Sequence, residues 1–334
     1  MAFFNTFFKT LGILLGFTTF LIIINITIFY LQKNNFSFNL IEGDEQSKNI
    51  IAILNLNGPI IKDINHGIVG KIINYIDPEI VNESLKELQN FKPKVLIIRV
   101  NSPGGTVSAT SSLENKINDF KKLNNTKIYF YTDEILASGG YWISTTGERT
   151  YANYGSIIGS IGVSGPSWYY YNQPKSISRS LFGQVIETEK GIEVFNQNAG
   201  ASKDLFNPFR KPTNQELSHL QNMVKEIYVK FISKVSKNRK IEKNTLVDEI
   251  GALIFTSSQA KKNFLIDGVI EFDDLIDQII MEENFKNYKI IKKNTNESLL
   301  NNYLSSFINN SKTPICNELN SSFSSVFPIY LNNC

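Results

Sequence analysis

The sequence predicts an α/β protein: a parallel sheet with helices on both faces, preceded by one N-terminal transmembrane helix. Three observations predict it. Short apolar runs recur at 50–56, 94–100 and 127–131. Stretches of helical periodicity separate them. A long uncharged run stands near the N-terminus. Strand, helix, strand, helix, strand is the order that buries parallel strands on both faces.

Leu11–Leu31 (LGILLGFTTFLIIINITIFYL) carries no charge. At 1.5 Å per residue, about 21 residues cover a hydrocarbon core of roughly 30 Å. Lys9 and Lys33 bracket the run. A cleaved signal peptide is the competing reading. The run exceeds a typical h-region, however, and Gln32-Lys33-Asn34-Asn35 follows it instead of a small-residue cleavage site. A retained anchor is therefore expected. The amino terminus and Lys9 outweigh Lys33 by one charge, which puts residues 1–10 in the cytoplasm and the large domain outside.

Residues 32–48 are polar and read as a linker. Ile50–Leu56 (IIAILNL) reads as a buried strand closed by Asn57-Gly58-Pro59. Residues 78–91 read as a helix with Val81, Leu85 and Leu88 on one face. Lys94–Val100 (KVLIIRV) is a second strand, ending at Asn101-Ser102-Pro103-Gly104-Gly105. A helix to about Leu123 and a strand at Lys127–Tyr131 follow. Thr150–Asn153 is a further strand candidate, and Ile157–Gly165 (IIGSIGVSG) is apolar and rich in small residues. Thr213-Asn214-Gln215-Glu216 is a capping box, and Leu217, Leu220, Val224, Ile227, Phe231 and Val235 follow as a stripe expected to face the core. The folded part, 49–285, closes with a segment from Ala260 to about Gln278. Residues 286–334 are rich in Asn, Ser and Lys and are expected to be loose or peripheral. With no internal repeat, one catalytic unit per chain is expected.

A net charge of +3 over 334 residues leaves no electrostatic footprint for nucleic acid. Cys316 and Cys334 have neither CxxC spacing nor a flanking His, so no zinc site is expected. Two free thiols and a disulfide both stay open.

Chemistry concentrates in small-residue turns. Asn101-Ser102-Pro103-Gly104-Gly105 lies at the carboxyl end of a predicted strand, where open α/β sheets bind ligands. Glycines let main-chain N–H groups approach a substrate and stabilise an oxyanion. A plain turn joining strand to helix is the bland alternative. Ala137-Ser138-Gly139-Gly140 has the same character, and a helix starting near Gly139 would put Ser138 at its positive end. Serine needs a base. The chain has two histidines, His66 in Asn65-His66-Gly67 and His219 between Ser218 and Leu220. Neither stands in a catalytic context, and no GxSxG elbow is present. A Ser–His–Asp triad is thus disfavoured. A lysine whose pKa falls from about 10.4 toward 7–8 can replace histidine. Spacing does not select which one. Lys203 is a candidate, after Ala199-Gly200-Ala201-Ser202 and before Leu205-Phe206, with the neighbouring carboxylate of Asp204 counting against it.

Four motifs in order resemble the signal peptide peptidase A family, peptidase family S49, of membrane-anchored serine proteases. They are Asn101–Gly105 after an apolar strand, Ala137–Tyr141, Gly159-Ser160-Ile161-Gly162, and Gly200–Asp204 followed by Asn207-Pro208-Phe209-Arg210. Phe255–Ala260 is a weaker fifth echo. The resemblance runs from about Ile50 to Ile276. It implies a Clp protease/crotonase-like core, Ser138 as nucleophile, Lys203 as general base and Ser160 as the residue orienting the lysine. It implies an oxyanion hole from the N–H groups of Gly105 and Gly139, with no cofactor and no metal. It further implies a homo-oligomeric ring or dome with sites shared between subunits, membrane-associated peptide substrates such as cleaved signal peptides, and an inner-membrane location with an extracytoplasmic domain. The stretch from Gly162 to Lys203 looks longer than the family's. Two other readings share the fold: an inactive membrane scaffold, and a crotonase-type acyl-CoA enzyme.

Overall fold

The computed structural model describes residues 2–33, 38–62, 74–172, 176–178, 185–187, 191–194 and 197–293. α1 (Ala2–Lys33) contains an apolar segment, Phe4–Ile24, with a mean hydropathy of 2.1 and none of it buried. Among the described residues it is the one helix long and apolar enough to cross a membrane. β1 (Phe38–Gly43) and β2 (Ile50–Asn57) follow. α2 (Pro78–Gln89) starts where the Asp77 carboxylate accepts the Glu79 N–H at 2.7 Å, with proline in the first turn. β3 (Val95–Asn101) leads to α3 (Val107–Asn124), capped by Thr106 and ended by Asn125 in the left-handed conformation.

β4 (Lys127–Thr132), β5 (Ile135–Ala137), the short α4 (Gly139–Ser144), β6 (Arg149–Ala152) and β7 (Ile157–Gly159) come next. β8 (Ser176–Ser178) and β9 (Val185–Glu187) form a separate antiparallel pair. α5 (Asn214–Arg239) begins with the predicted capping box, both of whose hydrogen bonds are made. A π-helical turn at Thr245–Ile250 precedes β10 (Ile254–Thr256), α6 (Ser257–Lys262), β11 (Gly268–Val269), α7 (Phe272–Glu282) and β12 (Lys289–Lys293).

The main sheet has the order β1-β12-β2-β3-β4-β6-β11, parallel throughout except for β1 on β12. Period-two alternation splits its side chains between two cores. Leu54, Leu56, Leu96 and Ile98 pack with Leu85 and Leu88 of α2 and Leu113 and Ile117 of α3. Ile51, Ile53, Ile97 and Tyr131 pack with Leu275 and Ile279 of α7 on the other face. Each fully buried Leu or Ile contributes about 1.5–3 kcal/mol, so both faces demand cover. The predicted parallel α/β class is the class observed. A smaller sheet, β10-β7-β5, crosses the carboxyl end of β3 and carries the site.

Three expectations need correction. The presumed linker contributes β1, and the presumed loose segment after 286 contributes β12 between β1 and β2. Lys289-Ile290-Ile291-Lys292-Lys293 looks polar on average, yet Ile290 and Ile291 enter opposite cores at 0% and 3% exposure. The α5 stripe reaches the core only from Phe231 and Val235, whereas Leu217 is exposed and Leu220, Val224 and Ile227 are half-buried. Periodicity marks the apolar face of a helix but not what covers it. His66, Cys316, Cys334 and the chain after 293 lie outside the described residues.

Candidate active site

The two glycine motifs meet where β3 and β5 end. Ser102 is fully buried and zips onto β5. Its N–H donates to the Ile135 carbonyl at 2.8 Å, and its carbonyl accepts the Ala137 N–H at 3.0 Å. The Ser102 hydroxyl accepts the Gly104 N–H at 3.1 Å and turns the chain. The Gly104 carbonyl accepts the Ile60 N–H at 2.8 Å, and the Ile60 carbonyl accepts the Thr106 N–H at 3.0 Å. The glycine loop is thereby clamped to the chain beyond β2.

Ser138 links β5 to α4 with φ 52° and ψ −121°. A residue with a Cβ held in such a conformation stores about 1–3 kcal/mol of strain, and such strain gathers at functional sites. A sharp strand-to-helix turn lifts a serine hydroxyl clear of the sheet. The Ser138 N–H donates to the Gly159 carbonyl at 2.9 Å, and its carbonyl accepts the Trp142 N–H at 2.9 Å. Gly104 has φ +105°, and a methyl placed on it would lie 2.7 Å from Ser138 Cβ and 3.0 Å from its Oγ. The glycine loop therefore passes directly against the serine. A methyl on Gly139 would lie 2.5 Å from Thr110 Oγ1 and 3.4 Å from the Gly105 nitrogen. Ser138, Gly104, Gly105 and Gly139 form one cluster, in which Gly105 is exposed and Ser138 half-buried.

Ser160 follows directly on Gly159, the residue that accepts the Ser138 N–H. It is half-buried with φ 52°, and its N–H donates to the Leu253 carbonyl at 2.8 Å. Lys203 stands apart. It is exposed in the turn after Gly200, whose carbonyl accepts its N–H at 3.3 Å. Among the described residues, no hydrogen bond or ion pair joins the Lys203 side chain to Ser138 or Ser160. One chain thus assembles the serine, the glycine loop and Ser160, with the lysine on a separate turn.

That turn is firmly built. Arg210 grips the Asp204 carboxylate at 2.7 and 2.8 Å and the Glu216 carboxylate at 2.7 and 2.9 Å. Its guanidinium lies 5.2 Å from the Trp168 ring, which also contacts Phe206. The Arg210 bond holds the Asp204 carboxyl down at about 2 and, with the Thr213 N–H, keeps Glu216 well below the usual carboxylate range. Asp204, the residue read as counting against Lys203, is engaged by Arg210. His219 is exposed on α5.

Sequence reading missed several supporting residues. Trp142 on α4 donates from Nε1 to the Glu114 carboxylate of α3 at 2.9 Å and stacks on Phe231 of α5 at 4.8 Å. Lys234 of α5 reaches the same carboxylate at 2.6 and 2.7 Å. One buried carboxylate thus ties α3, α4 and α5 together beneath the serine. An acidic residue at a buried position of a helical stripe was the available signal. Gly104 was legible only as part of its motif, because its contact with Ser138 joins two segments distant in sequence.

Fold and site define the class: a parallel α/β core presenting a strained serine beside the main chain of a glycine loop. Residues 121–286 match the model for peptidase family S49. A candidate protease of Methanocaldococcus jannaschii is 30% identical over 205 residues, 61% of each chain. A candidate signal peptide peptidase of Enterococcus faecium is 27% identical over 266 residues, 79% of this chain and 72% of that one. Protease 4 of Haemophilus influenzae is 30% identical over 186 residues, 55% of this chain and 28% of that one. The chain thus spans under two thirds of the first and third of these relatives.

Proposed function

We propose that the protein is a membrane-anchored serine endopeptidase that cleaves membrane-associated peptides, with signal peptides left after secretion as the expected substrates. The observation that carries this reading is Ser138, held at φ 52° between β5 and α4 with the Gly104 main chain against it. The match to the family S49 model and relatives named as proteases support it.

In this mechanism Ser138 Oγ attacks the scissile carbonyl carbon as its proton passes to the neutral amine of Lys203. The N–H groups of Gly105 and Gly139 hold the oxyanion of the tetrahedral intermediate. The intermediate collapses to an acyl-enzyme, and the lysine ammonium gives its proton to the departing amine. Water, deprotonated by the same lysine, then releases the acyl group and restores Ser138. Ser160 orients the lysine amine. Because Lys203 is exposed and unconnected to Ser138 within one chain, it serves the Ser138 of a neighbouring subunit, in a homo-oligomeric ring or dome. α1 anchors the assembly in the inner membrane with the catalytic domain outside the cytoplasm.

The test is peptide hydrolysis by detergent-purified wild type, Ser138→Ala, Lys203→Ala and an equimolar mixture of the two variants allowed to exchange subunits. Both single variants should be inactive and the mixture partly active. Full activity in Lys203→Ala would remove the dyad. A folded, oligomeric wild type that hydrolyses no peptide would favour the inactive scaffold.

A further inference from the structure

We infer that Asn101 is a positioning residue for the Ser138 nucleophile, its side-chain oxygen fixing the serine strand against the glycine loop. The inference rests on Ser138 being the nucleophile. Main-chain pairing between β3 and β4 ends at Arg99 and Tyr131. After Thr132 the chain leaves the main sheet through Asp133 and Glu134 and enters β5. Asn101 takes over where the ladder stops. Its Oδ1 accepts from the Thr132 hydroxyl, the Asp133 N–H and the Glu134 N–H, each at 3.0 Å. Its Nδ2 donates to Asp133 Oδ2 at 3.3 Å and to Asn57 Oδ1 at 3.4 Å. Arg99 secures Asp133 from the other side with two bonds of 2.5 Å.

The gathered turn starts both strands that define the serine. β5 begins at Ile135 and delivers Ser138. The Glu134 carbonyl accepts the Ile157 N–H at 2.8 Å and so also starts β7, whose Gly159 carbonyl accepts the Ser138 N–H. At its other end, Asn101 opens the loop that brings Gly104 against Ser138. The Asn101 amide, together with the Ser102 main chain, therefore sets the separation between nucleophile and glycine loop. The position needs an acceptor for several donors, and a hydrocarbon side chain of equal size would take their common acceptor away from the Asp133 and Glu134 main-chain N–H groups.

The experiment uses the full chain in detergent, with Asn101→Ala, Asn101→Asp, Thr132→Val and Ser138→Ala beside wild type. Three quantities are read: kcat and KM on an apolar peptide, the rate of serine labelling by a fluorophosphonate probe, and the thermal unfolding midpoint. Asn101→Ala should lower kcat and the labelling rate together by about 100-fold with KM changed less than about threefold, as expected for misplacement near 1 Å. Asn101→Asp keeps the acceptor and, with Arg99 neutralising Asp133, should retain labelling within about tenfold of wild type. Folded Asn101→Ala labelling at the wild-type rate would reduce Asn101 to a structural residue and overturn the inference. If Asn101→Ala fails to fold, Asn101→Asp decides: loss of labelling in that folded variant overturns the acceptor role, and retention alongside a several-fold loss in Thr132→Val supports it. Labelling or turnover surviving in Ser138→Ala would instead remove the nucleophile itself, an outcome readable without Asn101.

Discussion

Replacing Gly104 by alanine tests the serine–loop contact with one methyl group. Gly104 holds φ +105°, where a side chain costs about 1–2 kcal/mol. The added carbon would stand 2.7 Å from Ser138 Cβ and 2.8 Å from the Gly139 nitrogen. Ordinary contacts between carbons are about 3.5–4.0 Å, so the two turns must part by about 1 Å. Neither turn yields cheaply, because Ser102 joins them by main-chain hydrogen bonds at 2.8 and 3.0 Å. A displacement of about 1 Å at the reacting atoms lowers turnover about 100-fold, roughly 2.7 kcal/mol of barrier. The conformational penalty alone lowers the unfolding midpoint by about 2–8 °C for a domain of this size. The assay is kcat and KM on an apolar peptide, paired with thermal unfolding and size-exclusion of the detergent-solubilised protein. Turnover within threefold of wild type, in a folded variant of unchanged oligomeric state, would refute the contact as part of the working site.

Glu114→Ala removes the buried acceptor shared by Trp142 and Lys234. Lys234 is 40% exposed and can rehydrate, so the expected loss is about 1–3 kcal/mol, read from urea unfolding. The carboxyls of Asp204 and Glu216 are depressed in the folded state, so their stabilisation is present above an unfolded carboxyl pKa of about 4 and is lost as pH falls toward about 2. Stability measured between those values should fall with acid in the wild type and fall less steeply in Arg210→Met. Deleting residues 1–33 should move the protein from the membrane to the soluble fraction with its core stability kept and its helical circular dichroism lowered only by the share of α1, because none of the apolar segment packs on the core. Loss of the folded core on that deletion would show that α1 contributes to more than anchoring.

The central strands were legible because each is a run of aliphatic and aromatic residues too apolar for any place but a doubly covered sheet. The capping box at Thr213 and the helix beginning at Gly139 were legible because caps and small-residue turns act over three or four residues. The site was legible as a set of motifs in order, and that order carried the resemblance to family S49. Sequence determined those local features, including the long apolar helix at the N-terminus, because they depend on neighbours along the chain. Tertiary structure decided the rest. It inserted β12 between β1 and β2, which only the pairing of distant edges could fix. It left four of the six residues of the α5 stripe outside the core, since a stripe does not carry its own partner. It put Gly104 against Ser138 and three donors on Asn101, contacts between segments some thirty residues apart whose geometry is set by the sheet between them. It also put Lys203 on an exposed turn.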